Sequence, residues 1–265
     1  MIRHLLSHLL VMVLIAPGCS TLNSSPDSIA GARHCPKDTA NLVLERAATL
    51  GPESTDQELA CALRVLIASN DPIAVKSSLS TRLSLHLSER EAPGNDRDRQ
   101  IQQGIKRGEN ALKQGGDQDA AVHYYLGALM GLWLNDHPLD AGTLLTRVEK
   151  EQLTAMALSE AVDDGGPLRL LGMIYLKAPP WPAGMGDGDK ALELLQKAAM
   201  KYPQHPLNHA FYAKALIEVD DRKEEAQREC DEGLKALKNN HWGRNRIIWQ
   251  GEFDSLHKEL ARSTL

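Results

Sequence analysis

The residues whose types and spacing could support chemistry are histidines and paired acids. The chain has 10 histidines, and His205 and His209 are four residues apart, a spacing that can place two metal ligands on one helix face. Pro206 starts a helix between them, however, so the rings need not face the same way, and no third ligand is near. Asp187 and Asp189 lack the ligand series of a calcium loop and are interpreted as caps of the following helix. The sequence thus predicts no metal site.

Arg169 has the clearest binding chemistry of any single residue. On the inner face of a helical array, its guanidinium could bind a carboxylate of a small organic ligand with two hydrogen bonds. We favour the alternative, an internal ion pair with Asp163 or Asp164. The chain also has no nucleophile elbow, P-loop, dinucleotide-binding glycine motif or HEXXH motif. We therefore expect a binding protein without a cofactor rather than an enzyme.

The N-terminus has the features of an export signal. An apolar run from Leu5 to Ile15 is too short to span a bilayer as a stable anchor, and the sequence APGC then ends at Cys19. Because this resembles the lipobox of bacterial lipoproteins, we predict a signal peptide over residues 1–18 and a lipid anchor on Cys19. The alternative is an ordinary secretory signal cleaved near Ser20. Ser20 resembles an outer-membrane sorting signal, so we expect the protein on the periplasmic side of the outer membrane.

Composition separates a tether from the folded part. Residues 19–34 are rich in Ser, Asn and Gly with little apolar content, which predicts a flexible tether. Residues 35–265 are expected to form a single helical-repeat domain. The net charge is -5 and no long basic run is present, which argues against nucleic acid as a partner. We expect membrane contact through the lipid anchor only.

Three cysteines remain after Cys19. In the oxidising space outside the cytoplasm, Cys35 and Cys61 could form a disulfide. Alternatively, Cys61 and Cys230 are small buried apolar residues of helices. The sequence leaves both interpretations open.

Apolar residues recur at helical spacing along almost the whole chain, and no segment alternates as a strand does. A first helix is predicted from Asp38 to Leu50, and a second is predicted to begin after an N-cap at Ser54 or Thr55 and to run through Leu59 to Ile67. Four helix pairs are predicted to follow, at 73–92 with 97–114, 118–135 with 138–162, 166–177 with 188–202, and 206–219 with 222–237. A last helix, at about 244–262, would cap the stack.

A repeat connects these helices. The pattern is typical of a tetratricopeptide unit and is carried by Leu171, Gly172, Tyr175, Ala191, Leu195, Ala198 and Pro203. Weaker copies include Gly108 with Ala111, and Leu126 with Gly127. Small residues let two helices approach closely, and a large apolar residue one turn away fills the gap. The sequence therefore predicts an all-α, tetratricopeptide-like right-handed stack of antiparallel helix hairpins with a C-terminal capping helix.

With these motifs in place, residues 70–250 resemble the TatT-type lipoproteins, the T component associated with some tripartite ATP-independent periplasmic (TRAP) transporters. The more specific shared features are the Pro/Trp/Gly insert Ala178–Gly188 and the element made by Gly165, Gly166, Arg169, Leu171, Gly172 and Tyr175. The resemblance implies cryptic tetratricopeptide motifs, a lipid anchor, a periplasmic role and trimers that contact the transporter's substrate-binding protein. The alternative is an envelope scaffold or adaptor in outer-membrane or cell-wall assembly.

The insert is the first candidate surface, since it is about seven residues longer than a plain repeat unit requires. Three prolines stiffen it around Trp181. We favour packing of Trp181 across the helix ends, because exposed tryptophans are uncommon. The other interpretation is a rigid lip on a ligand groove or a partner contact. The candidate binding or interface residues are Trp181, Tyr175, Arg169, Tyr125, His123 and Tyr212.

Overall fold

A computed structural model describes residues 35–239 and 242–262, which contain helices and no β-strand. The predicted signal peptide, the lipid anchor at Cys19 and the tether lie outside these residues. The α-helices are α1 (Ala40–Glu45), α2 (Asp56–Ala68), α3 (Pro72–Lys76), α4 (Leu79–Arg90), α5 (Asn95–Ala111), α6 (Ala120–Asp136), α7 (Ala141–Ser159), α8 (Gly166–Lys177), α9 (Gly188–Lys201), α10 (Pro206–Asp220), α11 (Lys223–Asn239) and α12 (Asn245–Arg262).

The helices form an all-α stack of antiparallel pairs, which confirms the predicted fold class. α4 packs on α5, α6 on α7, α8 on α9 and α10 on α11, and each pair also contacts the next. α12 packs against both α10 and α11 and so caps the stack. Within the described residues, no helix is both long enough and apolar enough to cross a membrane.

Two predicted helices are shorter or broken in the structure. The helix expected over 38–50 ends at Glu45 and continues only as a short 3-10 turn, Ala47–Thr49. The helix expected over 73–92 divides at Ser77, whose backbone is extended and whose hydroxyl accepts a hydrogen bond of 3.1 Å from the backbone N–H of Leu79. A serine at the end of α3, whose hydroxyl accepts from the first N–H of α4, therefore separates the two helices, because its side chain competes with the helical backbone.

The small residues of the repeat pattern lie where helices meet, as predicted. A Cβ atom added to Gly172 on α8 would be 2.6 Å from Cγ of Leu195 on α9, so a larger residue does not fit. Ala191, Leu195 and Ala198 are fully buried in this contact. Gly127 makes the equivalent approach between α6 and α7, since a Cβ there would overlap the side-chain amide of Gln152. The spacing of small residues in the repeat pattern thus marks the positions where two helices cross closely.

The earlier copy of the pattern works in the same way. A Cβ on Gly108 of α5 would be 3.1 Å from Cβ of Leu126 on α6, and Ala111 is fully buried. Close approach therefore links α5 to the next pair as well.

Cysteine pairing is decided by the fold. Cys35 and Cys61 form a disulfide that joins the segment before α1 to α2. Cys230 is free and buried on α11, and burial raises the pKa of its thiol to about 12. Of the two interpretations left open, the disulfide is present and Cys230 is the small buried residue.

Candidate functional site

A cavity of about 240 Å³ lies between the inner helices of the stack. The first helices of successive pairs, α4, α6, α8 and α10, supply most of its lining, and α12 closes it. Its wall is mainly apolar and includes Leu170, Met173, Phe211, Ile248 and Trp249. A cavity of roughly 150 Å³ lined by such side chains stays dry and takes up benzene, so this one has room for a somewhat larger apolar group.

One corner of the cavity is polar and is built around Arg169 of α8. Its Nη2 donates to Oδ2 of Asp163 at 2.5 Å and to the hydroxyl of Tyr124 at 3.2 Å. Its Nη1 donates to Oδ1 of Asn208 at 2.8 Å. Tyr124 also donates to Asp163 at 2.6 Å. Arg169 is 5% exposed, and both terminal nitrogens of its guanidinium are engaged by the protein itself.

The backbone that carries Asp163 is held in an unusual conformation. Asp163 and Asp164 have φ values of 52° and 48°, and Gly165 follows at 83°. Left-handed conformations at residues other than glycine cost about 1–3 kcal/mol each and cluster at functional sites. A Cβ on Gly166 would overlap the ring of Tyr124. The paired glycines therefore allow the loop and Tyr124 to meet beside Arg169.

The electrostatics of this corner favour a fixed ion pair. Burial acts to raise the pKa of Asp163, but the charge of Arg169 and the hydrogen bond from Tyr124 act against it, and that pKa is lowered. Burial also raises the pKa of Tyr124, and Asp163 raises it further. At neutral pH the carboxylate and the guanidinium are therefore both charged and compensate each other, while Tyr124 remains a neutral phenol.

Two histidines contribute to the cavity lining. Nδ1 of His86 on α4 and Nδ1 of His205 before α10 are buried without a hydrogen-bond partner, and both rings line the cavity. The His205 ring packs against Trp242 and Trp249, with centroid distances of 5.4 and 5.1 Å. Burial, reinforced by Arg169, lowers the pKa of His205 to about 3, so the ring is neutral at physiological pH.

Arg169 is the only one of the six predicted site residues that lines this cavity. The internal pair with Asp163, favoured from the sequence, is the pair that forms. A bidentate clamp on a ligand carboxylate would require the same nitrogens, which are already occupied. Arg169 therefore shapes the polar corner and does not offer an unpaired positive charge.

His123 and His209 serve the helix packing. In each, Nε2 donates to a backbone carbonyl six residues earlier, that of Asp117 or of Pro203, at 3.0 Å. In each, Nδ1 contacts a glutamate of the partner helix, Glu151 at 2.6 Å or Glu229 at 2.7 Å.

Arg169 makes the corresponding carbonyl contact to Asp163, at 3.3 Å. A basic residue at the fourth position of three successive inner helices thus ties each helix to its preceding loop. Sequence reasoning missed this repeat, although the spacing was visible.

Two of the three predicted tyrosines connect helices. Tyr175 donates to Glu149 at 2.8 Å and Tyr212 donates to Glu225 at 3.0 Å. Tyr125 is buried in the core beside Tyr124, with ring centroids 4.8 Å apart. Tyr124, rather than Tyr125, lines the cavity, because adjacent helical residues point in directions about 100° apart. Cavity residues such as Tyr124 can therefore be identified only when the inner face of the helix is known.

The favoured packing of Trp181 across the helix ends is wrong. Its side chain is 85% exposed. The insert instead folds back on itself, with the N–H of Gly186 donating to the carbonyl of Pro179 at 2.8 Å. The N–H of Asp187 donates to the carbonyl of Tyr175 at 2.9 Å, which fixes the end of the insert on α8. Backbone hydrogen bonds position the loop, so the tryptophan is left as its projecting group.

The remaining polar candidates act in capping and packing. Asp187 accepts a hydrogen bond of 3.1 Å from the backbone N–H of Lys190, which confirms its predicted role as a helix cap. His205 and His209 contact different partners, as the intervening Pro206 led us to expect. Across residues 35–239 and 242–262, no group of three or more His, Cys, Asp or Glu side chains is arranged to hold a metal ion.

Comparison with models of known protein families gives no match to this chain, and comparison with curated proteins gives no significant match. The likeness to TatT-type lipoproteins therefore stays a prediction from the sequence.

Proposed function

We propose that this chain is a non-enzymatic, lipid-anchored periplasmic protein that binds a partner protein and holds a small ligand between its inner helices. The observation that carries the proposal is the largely apolar cavity of about 240 Å³ lined mainly by α4, α6, α8, α10 and α12. Concave apolar sites with a few convergent polar groups are the usual form of small-molecule sites. The proposed protein partner is the substrate-binding protein of a TRAP transporter.

The exposed insert supports a protein partner. Trp181 projects from a loop whose backbone is fixed by its own hydrogen bonds, so little conformational entropy would be lost on binding. Tryptophan is also among the residues that contribute most at protein interfaces. The insert thus supplies a rigid aromatic contact outside the cavity.

The polar corner supports binding over catalysis. Asp163 is paired with Arg169 and its carboxylate also accepts the hydroxyl of Tyr124, so the acid is held as a charged, hydrogen-bonded group. A general acid or base needs a proton-transfer position toward substrate and a pKa near the working pH. The lowered pKa of Asp163 and the raised pKa of Tyr124 both move away from that range.

Affinity capture of the full chain from detergent-solubilised envelope tests the partner. We expect the substrate-binding protein of a TRAP system to be recovered. The amount recovered should be smaller with the Trp181→Ala variant. Leu139→Ala is the matched control, since Leu139 is also a projecting apolar residue and is 95% exposed. It lies in the connection between α6 and α7, the helix pair that precedes α8 and α9. Recovery of only cell-wall or outer-membrane assembly factors would favour the envelope scaffold instead. Mass spectrometry of the N-terminal peptide tests acylation of Cys19 independently.

A further inference from the structure

The basic side chains that line the cavity are paired with acids of the protein. Among the described residues, three lysine or arginine side chains contribute to the lining. Their pairs are Arg97 with Asp136 at 2.8 Å, Arg169 with Asp163 at 2.5 Å, and Lys177 with Glu218 at 2.5 Å. An anionic ligand would have to displace one of these internal carboxylates to reach a positive charge, and breaking a buried pair is costly.

The acids of the lining are not balanced in the same way. Asp163 is the partner of Arg169, but Glu89 and Glu252 form no ion pair with a lysine or arginine in the part of the chain that the structure describes. Glu89 on α4 lies beside His86, with a carboxylate oxygen 3.5 Å from Nδ1. The charge left without a basic partner in this lining is therefore negative.

Glu252 is the better placed of the two acids to contact a ligand. It lies on α12 one helical turn after Ile248 and Trp249, and all three side chains line the cavity, so they share one face of the helix. Glu252 is half-buried, and its carboxylate accepts no hydrogen bond from the described residues. Lys214, whose charge acts on Glu252, has its ammonium group 3.5 Å from Glu218 instead.

The charge of Glu252 is only partly compensated. Burial raises the pKa of its carboxyl group, and the opposing charge of Lys214 does not offset this effect. The carboxylate lacks both full hydration and a close partner, so a ligand cation that paired with it would restore the missing interaction. Trp249 one turn away offers the same cation a second contact, because ammonium groups are attracted to the faces of aromatic rings.

The rest of the wall determines the body of the ligand. Leu170, Met173 and Phe211 contribute apolar surface to the cavity, whose volume is about 240 Å³. Since a dry cavity of roughly 150 Å³ takes up benzene, this one has room for a benzene ring with a short side chain. The complementary ligand therefore has a compact apolar body.

We infer that the cavity binds a small organic cation, with an apolar body and one ammonium group, and that the Glu252 carboxylate is the counterion of that group. This inference rests on the proposed function, because it names the ligand class of the same cavity. It gives the ligand the opposite charge to the carboxylate that Arg169 suggested in the sequence.

Photolabelling of the full chain in phosphatidylcholine nanodiscs tests the ligand class. The probes are phenethylammonium and phenethyl alcohol, each with a diazirine on the ring, and labelled peptides containing Met173 or Trp249 are measured by mass spectrometry. Unlabelled phenethylammonium, phenethyl alcohol and hydrocinnamate then compete at neutral pH and share one aromatic body. We expect the ammonium compound to compete at concentrations about tenfold lower than the alcohol, and the carboxylate to compete least. Equal or stronger competition by the alcohol or the carboxylate would overturn the inference.

Glu252→Gln tests the counterion, because it keeps the size and polarity of the side chain and removes its charge. We expect the preference for phenethylammonium over phenethyl alcohol to fall to about twofold or less. Asp254→Asn is the matched control on the same helix, since Asp254 is exposed and lies outside the cavity lining, and its replacement removes the same charge from the chain. An unchanged preference with Glu252→Gln, or an equal fall in both variants, would overturn the assignment of Glu252.

Glu252→Gln should unfold at the same urea concentration as the unaltered chain, since no hydrogen bond within the described residues depends on the carboxylate. The comparison of head groups uses only the unaltered chain, so it stands even where a variant unfolds.

The outcomes separate this inference from the proposed function. Labelling of the cavity peptides by neither probe would remove the cavity as a ligand site, and with it both the inference and the small-ligand part of the proposed function. Labelling of those peptides without a preference for the ammonium group would overturn the inference and leave the cavity as a ligand site.

Discussion

Arg90 at the end of α4 donates a hydrogen bond of 3.2 Å to the side chain of Asn245 at the start of α12, across a sequence separation of 155 residues. The same guanidinium donates to the carbonyls of Pro52 and Ser54, each at 2.8 Å, and to Asp56 at 3.0 Å. Pro52 and Asn245 both line the cavity. Arg90 therefore joins the first and last parts of the stack where the cavity closes.

We expect Arg90→Ala to lower the free energy of unfolding by about 1–3 kcal/mol, because it leaves several part-buried acceptors without this donor. Urea denaturation measures the change. Arg99→Ala is the control, since Arg99 makes only an exposed pair with Asp96, and pairs of that kind contribute about 0–1 kcal/mol. Equal unfolding free energies for the two variants would show that the hydrogen bonds of Arg90 contribute little to stability.

Gly172→Ala tests the close crossing of α8 and α9. The added Cβ would be 2.6 Å from Cγ of Leu195, so we expect a loss of about 1–3 kcal/mol in unfolding free energy. Gly142→Ala is the matched control on α7, where an added Cβ meets nothing within 4 Å and the better helix propensity of alanine should stabilise slightly. Loss of the same stability in both variants would contradict the packing explanation.

A double-mutant cycle tests the buried pair in the cavity corner. Arg169→Met and Asp163→Asn each leave one charge without its partner, and we expect each to destabilise by about 3–5 kcal/mol. The double variant removes both charges and should be more stable than the sum of the single losses predicts. Thermal and urea unfolding measure the coupling. Additive losses would show that Arg169 and Asp163 do not act as a pair.

His205 should make stability fall on acidification. Its folded pKa is lowered to about 3 from an ordinary value of 6.5, so between these two pH values only the unfolded chain takes up the proton. The stability that His205 contributes is present above pH 6.5 and is lost as pH falls, by about 1.4 kcal/mol per pH unit.

His205→Gln should therefore have a shallower decline of unfolding free energy between pH 6.5 and pH 4, measured by urea titration at each pH. His209, whose pKa is raised by Glu229 against burial, contributes with the opposite sign but is present in both chains and cancels. Parallel pH profiles for the two chains would contradict a buried neutral His205.

Local features of the sequence predicted the helices well. α8 and α9, at Gly166–Lys177 and Gly188–Lys201, lie within a residue of their predicted bounds. Caps, prolines and apolar spacing act over a few residues, which is why such boundaries can be inferred. The prediction for Trp181 was wrong because the burial of a loop residue depends on which other parts of the chain pack against that loop. The choice of Tyr125 missed its neighbour Tyr124 because the inner face of α6 is defined only by the other helices.

The sequence by itself determined the all-α class, the order of the helix pairs and the small residues at their crossings, because these depend on contacts within or between adjacent helices. Only the tertiary structure decided that Asp163 is the ion-pair partner of Arg169 and that His86 and His205 line one cavity. It alone also decided that Arg90 hydrogen-bonds α12 to the end of α4. The reason is physical. These relationships depend on the accumulated geometry of the whole stack, which no local pattern of residues encodes.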